Sequence, residues 1–321
     1  MTPLQRITVL LAAALGLGAC AGPAPSSTPV PAARGRADPE LQRRLEELAG
    51  TVRGRVGIYV RHLRTGRTAA VNPDEAFPTA SMVKVPILIG TFDAIERGRL
   101  AFNQPLIYTD SLLYEGHDLV GALQDSATIP LAQAALMMIT TSDNTASLWL
   151  QGLVGGAAIN QWLATHGFDS TRVNSRVPGR EEARSRYGWG QTTPREMAEL
   201  LVTIREGRAV SRAASEEMYR HLTRIYWTGE ALSRLPPWVQ AASKQGAVDR
   251  SKSEVVLVNA PSGDYVFAVI TKEQLDERWE VDNEGYVLIR AVSSLLWRTF
   301  EPGHPWEPAP GVERFKPAEE D

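Results

Sequence analysis

Three short stretches of this chain hold residues that can do chemistry. In "FPTASMVKVPILIG", Ser81 stands three residues before Lys84. A serine hydroxyl is a poor nucleophile until a base takes its proton. A lysine three residues further along a helix shares the serine's face, and its amine can take that proton only while neutral. Burial and a second cation nearby both favour the neutral amine; Lys244 is the candidate second cation. The other stretches are "TTSDNTAS", with Ser142-Asp143-Asn144, and "SKQGAV", with Lys244-Gln245-Gly246. Taken alone, Ser81 also reads as an ordinary helix cap, and each of the other two motifs is short enough to arise by chance. Their conjunction in this order is the signal. Ser142 follows Ser81 by 61 residues, and Lys244 follows Ser142 by 102.

These motifs need elements to carry them. "ELQRRLEELAG" places Leu41, Leu45 and Leu48 at helical spacing and stops at Gly50. "RVGIYVRHL" and "RTAAV", joined around Thr65-Gly66, read as a β-hairpin. The apolar run with Ser81 at its front reads as a helix, with Pro86 near the start where a missing N–H costs least. From Leu131 to Gly207 the pattern is mostly helical. In "QTTPREMAELLVTIREG", Thr193 caps, Pro194 takes the first helical position, Glu196 completes a capping box and Gly207 stops the helix. "EVVLVNA" and "DYVFAVIT", separated by Pro261-Ser262-Gly263, read as paired strands, and "NEGYVLIRAVSSLLWRTF" as a closing helix. Strands at both ends of the chain and helices between them predict an α/β (α+β) fold. One antiparallel sheet is flanked by the terminal helices, with a helical lobe beside it and a cleft between the two.

Ser-x-x-Lys, Ser-Asp-Asn and Lys-x-Gly in this order resemble the signature of serine β-lactamases and penicillin-binding proteins. "TTSDNTASLWL", "TTPREMAELL" and the strand pair after "KQGAV" are similar to class A β-lactamases in particular, and the similarity spans roughly Leu41 to Trp297. The resemblance implies a covalent acyl-enzyme on Ser81, with Lys84 as base. It implies that Ser142 relays a proton to the leaving nitrogen and that Asn144 holds the substrate's side-chain amide. Lys244 would attract the substrate carboxylate and orient Ser142, with Gln245 and Gly246 completing that pocket. The backbone N–H groups of Ser81 and Ala247 would form the oxyanion hole.

The chain departs from the family pattern at two places. Gln245 occupies a position where Thr or Ser is usual, so the carboxylate pocket must differ in shape. The family's loop motif Glu-x-x-Leu-Asn, whose glutamate activates the deacylating water, has no counterpart in "FDSTRVNSRVPGREEARSRYGWGQTTP". Glu181 and Glu182 lie there, followed four residues on by Ser185 and Arg186, and read as a solvated acidic pair flanked by arginines. Tyr114 and His117 read either as an aromatic wall of the cleft or as a surface loop. The remaining histidines show no metal-ligand spacing, so no metal and no cofactor are expected. The tryptophans read as packing groups of the core and the cleft rim.

The ends of the chain read differently. "MTPLQRITVLLAAALGLGAC" has one basic residue, then an apolar run too short for a membrane span, ending in Leu17-Gly18-Ala19-Cys20. This resembles a bacterial lipobox with Cys20 as the lipidated residue; as the single cysteine, it also rules out an internal disulfide. The expected organisation is a signal peptide over 1–20, a flexible tether over 21–38, the hydrolase domain over 39–301 and a loose tail over 302–321. The formal charge of −3 and the lack of a basic stripe with interleaved aromatics argue against a nucleic-acid partner. The expected protein is an exported, lipid-anchored, monomeric serine hydrolase acting on β-lactams. The alternatives are a D-Ala-D-Ala carboxypeptidase or penicillin-binding peptidase, and a non-catalytic binder of wall peptides.

Overall fold

A computed structural model of the chain describes residues 35–114 and 118–315. Cys20, most of the tether, His117 and the last six residues lie outside the described residues.

The main sheet takes strands from both ends of the chain. Its order is β1 (Arg36–Ala37), β3 (Arg67–Val71), β2 (Arg55–His62), β11 (Tyr265–Lys272), β10 (Ser251–Val258), β9 (Ala241–Val248). All pairings are antiparallel except β1 with β3. The turn Pro261-Ser262-Gly263 joins β10 to β11, with Gly263 at a φ of 123°.

One face of the sheet is covered by the terminal helices α1 (Pro39–Ala49) and α9 (Glu284–Phe300). Leu41 and Leu45 meet Leu296 and Trp297 over Ile58, Val256 and Phe267. The other face carries α7 (Pro194–Arg205), and beyond it lies a helical lobe. That lobe contains α2 (Lys84–Glu96), α3 (Leu131–Thr140), α4 (Asn144–Val154), α5 (Gly156–Thr165), α6 (Glu181–Tyr187) and α8 (Arg212–Leu222). Two small sheets tie it together: β4 (Phe77–Pro78), β8 (Gly190–Thr192) and β7 (Arg172–Val173) form one, and β5 (Pro105–Ile107) with β6 (Thr128–Pro130) the other.

Helix α2 is the axis of this lobe. Nearly all of it is buried, from Lys84 through Phe92. A run apolar on every side has no face to give to water, so it goes to the middle. That placement takes Lys84 inside with it.

Three local readings change. Thr193 does cap α7, accepting from Glu196 N at 3.1 Å. The Glu196 carboxylate, however, does not close a capping box. It accepts from Ser170 N, Thr171 N and Thr171 Oγ1, anchoring the start of the preceding loop. The end of the stretch read as tether is also engaged: β1 pairs with β3, and Asp38 accepts from Leu41 N and from Arg67. After Glu301 the chain stays on the body, with Trp297 Nε1 donating to His304 O at 3.0 Å and Trp306 edge-on to Trp238.

Candidate active site

Ser81 lies not in α2 but in a 3₁₀ turn, Ala80–Val83, that runs directly into it. The turn begins with strain: Ala80 has a φ of 42°, a region costly for a residue with a Cβ. Ser81 makes no cap for the helix. Its hydroxyl is 2.8 Å from Lys84 Nζ, which disposes of the capping reading.

The Lys84 amine is fully buried and has four oxygens around it. They are Ser81 Oγ at 2.8 Å, Ser142 Oγ at 3.0 Å, Ser142 O at 2.7 Å and Asn144 Oδ1 at 2.6 Å. The two carbonyl oxygens can only accept. They match the two N–H groups of a neutral amine and leave its lone pair to the two hydroxyls. Burial brings the amine down to about 7, against the opposing pull of the Asp118 and Asp143 carboxylates. Burial is therefore the cause of the shift, and the second cation expected from Lys244 is not needed to explain it.

Ser142 Oγ is also 3.0 Å from Lys244 Nζ, so one hydroxyl bridges two buried amines. Ser142 holds a φ of 64°, a second strained position at the site. Asp143 fixes it by capping α4, accepting from Ala146 N at 2.7 Å and from Val120 N at 2.8 Å.

Lys244 is delivered by β9, an edge strand of the sheet. It donates to Gln245 Oε1 at 2.7 Å. The glutamine thus turns back onto its neighbour, and the residues lining the cleft are others. Gly246 lets β9 approach the serine turn: a Cβ there would lie 2.7 Å from Thr79 O and 2.9 Å from Ser81 N. This close approach sets the backbone of Ser81 beside that of Gly246. Behind β9, the fully buried Glu254 accepts from Ser243 Oγ at 2.6 Å and Ala231 N at 2.8 Å. Burial raises its carboxyl to about 7.

The cleft above Ser81 has a volume of about 490 Å³. Tyr114 and Trp189 form one wall, their rings edge-on with centroids 5.0 Å apart. Arg186 and Tyr187 at the end of α6, Ala247 and Arg250 around the β9–β10 turn, Lys272 at the end of β11 and Glu273 after it also line it. Tyr114 belongs to the site as one of the two sequence readings had it. Arg186, Trp189, Arg250 and Glu273 carry no motif and were not singled out. Glu181 and Glu182 are exposed on α6, outside the cleft lining, and Glu181 accepts from Gly179 N. Among the described residues no cluster of His, Cys, Asp and Glu could hold a metal ion.

One further signal was legible but unread. Only five of the 34 basic residues are lysines: Lys84, Lys244, Lys252, Lys272 and Lys316. Arginine is not deprotonated in proteins. Lys84, Lys244 and Lys252 are all fully buried. In this arginine-rich chain, three of the five lysines are interior amines.

Comparison with known proteins agrees with this geometry. A β-lactamase of Streptomyces fradiae is 28% identical over 291 residues, covering 88% of this chain and 94% of that relative. A β-lactamase of Rhodobacter capsulatus is 27% identical over 301 residues, 92% and 98% of the two chains. Among solved structures, a mutant of PBP-A, an acyl-enzyme complex with penicillin G, superposes with a TM-score of 0.74. It is 26% identical and covers 83% of this chain and 98% of its own. A β-lactamase of Sphaerobacter thermophilus shares the fold, with a TM-score of 0.72 at 24% identity over 84% of this chain and 100% of its own. A sequence model of the Beta-lactamase enzyme family matches residues 40–300, which span the three motifs and the whole six-stranded sheet beyond β1, and the chain belongs to that family.

Proposed function

We propose that this protein opens the amide of β-lactams by acyl transfer to Ser81 and then hydrolyses the ester. One observation carries the reading: a fully buried amine, lowered to about 7, lies 2.8 Å from the Ser81 hydroxyl. The Ser81 proton passes to Lys84 as Oγ attacks the carbonyl carbon. The Ser81 and Ala247 N–H groups receive the developing oxyanion, each such donor commonly worth about 3–4 kcal/mol of barrier. Ser142 gives its proton to the departing nitrogen and is resupplied from Lys84, 3.0 Å away. Lys244 attracts the substrate carboxylate while holding Ser142, and Asn144 offers its amide N–H₂ to the substrate's side chain. The relatives' activities support this assignment of substrate.

The second half-reaction is built differently. Releasing the acyl group needs a water held about 3 Å from a base. The loop carboxylates Glu181 and Glu182 face solvent, so acylation outpaces deacylation. The likeness to PBP-A, solved as a penicillin acyl-enzyme, supports the same balance. It also keeps a D-Ala-D-Ala peptidase as the second reading. Intact-mass spectrometry of the protein mixed with a penicillin separates these. An adduct on Ser81 that forms fast and clears slowly is expected. A permanent adduct selects the penicillin-binding peptidase, and no adduct overturns the acyl-enzyme.

The protein is further proposed to be exported, monomeric and anchored to a bacterial membrane through lipidated Cys20. The support is the Leu17-Gly18-Ala19-Cys20 sequence after an apolar run. Membrane fractionation of Cys20→Ser tests it: the variant should appear in the soluble fraction or remain unprocessed.

A further inference from the structure

We propose that Asp118, which belongs to none of the three motifs, is a positioning residue for Lys84, holding Asn144 in place from the loop that carries Tyr114. The proposal rests on the acyl-enzyme reading of Ser81 and Lys84.

The argument starts at the exposed N–H groups of α4. The first turn of a helix has backbone donors with no partner inside the helix. A single capping residue takes the second or third of them. Here two carboxylates divide the turn. Asp143, the cap, accepts from Ala146 N. Asp118 accepts from Asn144 N at 2.9 Å and from Thr145 N at 2.6 Å, and Thr145 Oγ1 donates to it at 2.9 Å. The first three N–H groups of α4 are thus all bound to carboxylate oxygen.

Asn144 is held at both ends by this arrangement. Its backbone N–H goes to Asp118, and its Oδ1 is 2.6 Å from Lys84 Nζ. Asp118 therefore fixes the oxygen that orients the amine. Two residues before Asn144, Ser142 is in the left-handed region, so the turn has a local reason to relax if its anchor is lost. The same cluster reaches the cleft wall, because Tyr114 N donates to Thr145 Oγ1 at 3.1 Å.

Charge adds to geometry. The groups facing the Lys84 amine are the Ser81 and Ser142 hydroxyls, the carboxylates of Asp118 and Asp143, and Lys244 across Ser142 Oγ. Of the two carboxylates, Asp118 exerts the larger pull toward the protonated amine. It opposes burial and keeps Lys84 near neutrality instead of permanently uncharged. An amine that must both take and return a proton works best near the ambient pH.

Five lysines make the test direct. The full chain is labelled with [ε-¹³C]lysine, and the Lys84 signal, assigned by its loss in Lys84→Met, is titrated in wild type, Asp118→Asn and Asp118→Glu. Asp118→Asn should move the midpoint to lower pH by about half a unit or more, as loss of a nearby opposite charge requires. The acid limb of the Ser81 acylation rate should move with it. Asp118→Glu keeps the charge but displaces the carboxylate by a methylene. It should restore the midpoint while lowering the plateau acylation rate about threefold or more, a positioning loss. A midpoint in Asp118→Asn within about 0.2 unit of wild type, or a plateau in Asp118→Glu within about twofold, overturns the proposal. Were wild type to show the titration but no acyl adduct, the reading of Ser81 would fail and the role of Asp118 would still be decided by the midpoints. If Asp118→Asn does not fold, the plateau of Asp118→Glu decides alone.

Discussion

The Ser81 centre and the end of α6 both line one cleft and are built to different standards. At the centre, the side chains of Ser81, Ser142 and Asn144 meet within 3.0 Å of two buried amines, Lys84 and Lys244. Strained φ values at Ala80 and Ser142 are held by packing and by carboxylate caps. On α6 no residue is buried, and Glu181 bonds only to its own turn. Acyl transfer to the serine needs the first arrangement; release of the ester needs a carboxylate placed with similar care. The contrast teaches that the two half-reactions of one site are separable in structure, so one can be fast while the other is slow.

Breaking the centre should have the largest effect. Ser81→Ala should abolish labelling by a fluorescent penicillin with no change in circular dichroism; labelling at the wild-type rate would remove Ser81 from the mechanism.

Next comes the base. Lys84→Met should lower acylation by at least ~10²-fold, the lower range for lost general-base help. In wild type, acylation should rise with pH through about 7, because the buried amine is neutral above that value and charged below it. Stopped-flow acylation across pH 5–9 measures both, and a flat profile would mean another residue takes the proton.

The underside of the centre offers a smaller effect. Folding raises the Glu254 carboxyl from an ordinary 4.5 to about 7. A raised carboxyl gives stability that is fully present below about 4.5 and lost as pH climbs through about 7. Glutamine mimics the protonated form, since Ser243 Oγ can accept as well as donate. Urea unfolding should therefore find Glu254→Gln equal to wild type near pH 4.5 and more stable by on the order of 2 kcal/mol at pH 8. Equal stability at both pH values would show that Glu254 is already ionised in the fold.

The smallest expected change sharpens the comparison from the loop side. Glu181→Gln and Glu182→Gln should each alter steady-state hydrolysis of a chromogenic cephalosporin by less than about threefold, the range for exposed groups outside the reacting cluster. Loss of turnover with the initial burst intact would make that glutamate the deacylating base.

Much of this was readable before any coordinates. Helical spacing of Leu41, Leu45 and Leu48, the hairpin around Gly66 and the Thr193-Pro194 start all depend on local chemistry and period, and they appear where those rules place them. The capping box at Glu196 was misread because a local rule cannot see a competing partner 26 residues away at Ser170. Asp118 carries no signal of its own, since "GHDL" matches no spacing; only the packing of its loop against α4 gives it three donors.

The amino-acid order by itself determined which groups are available: a serine three residues from a lysine, a second serine two residues from an asparagine, a lysine two residues before a glycine, and a loop without the Glu-x-x-Leu-Asn motif. Tertiary structure decided what those groups became. Ser81, Ser142 and Lys244 are far apart along the chain, and only the folding of α2, α4 and β9 around one point brings both serine hydroxyls within 3.0 Å of the Lys84 amine and the Lys244 amine to 3.0 Å from Ser142. The lowered amine is likewise no property of Ser-x-x-Lys. It arises because α2 is buried from Lys84 through Phe92, carrying a charge out of water into a place where the neutral form is favoured.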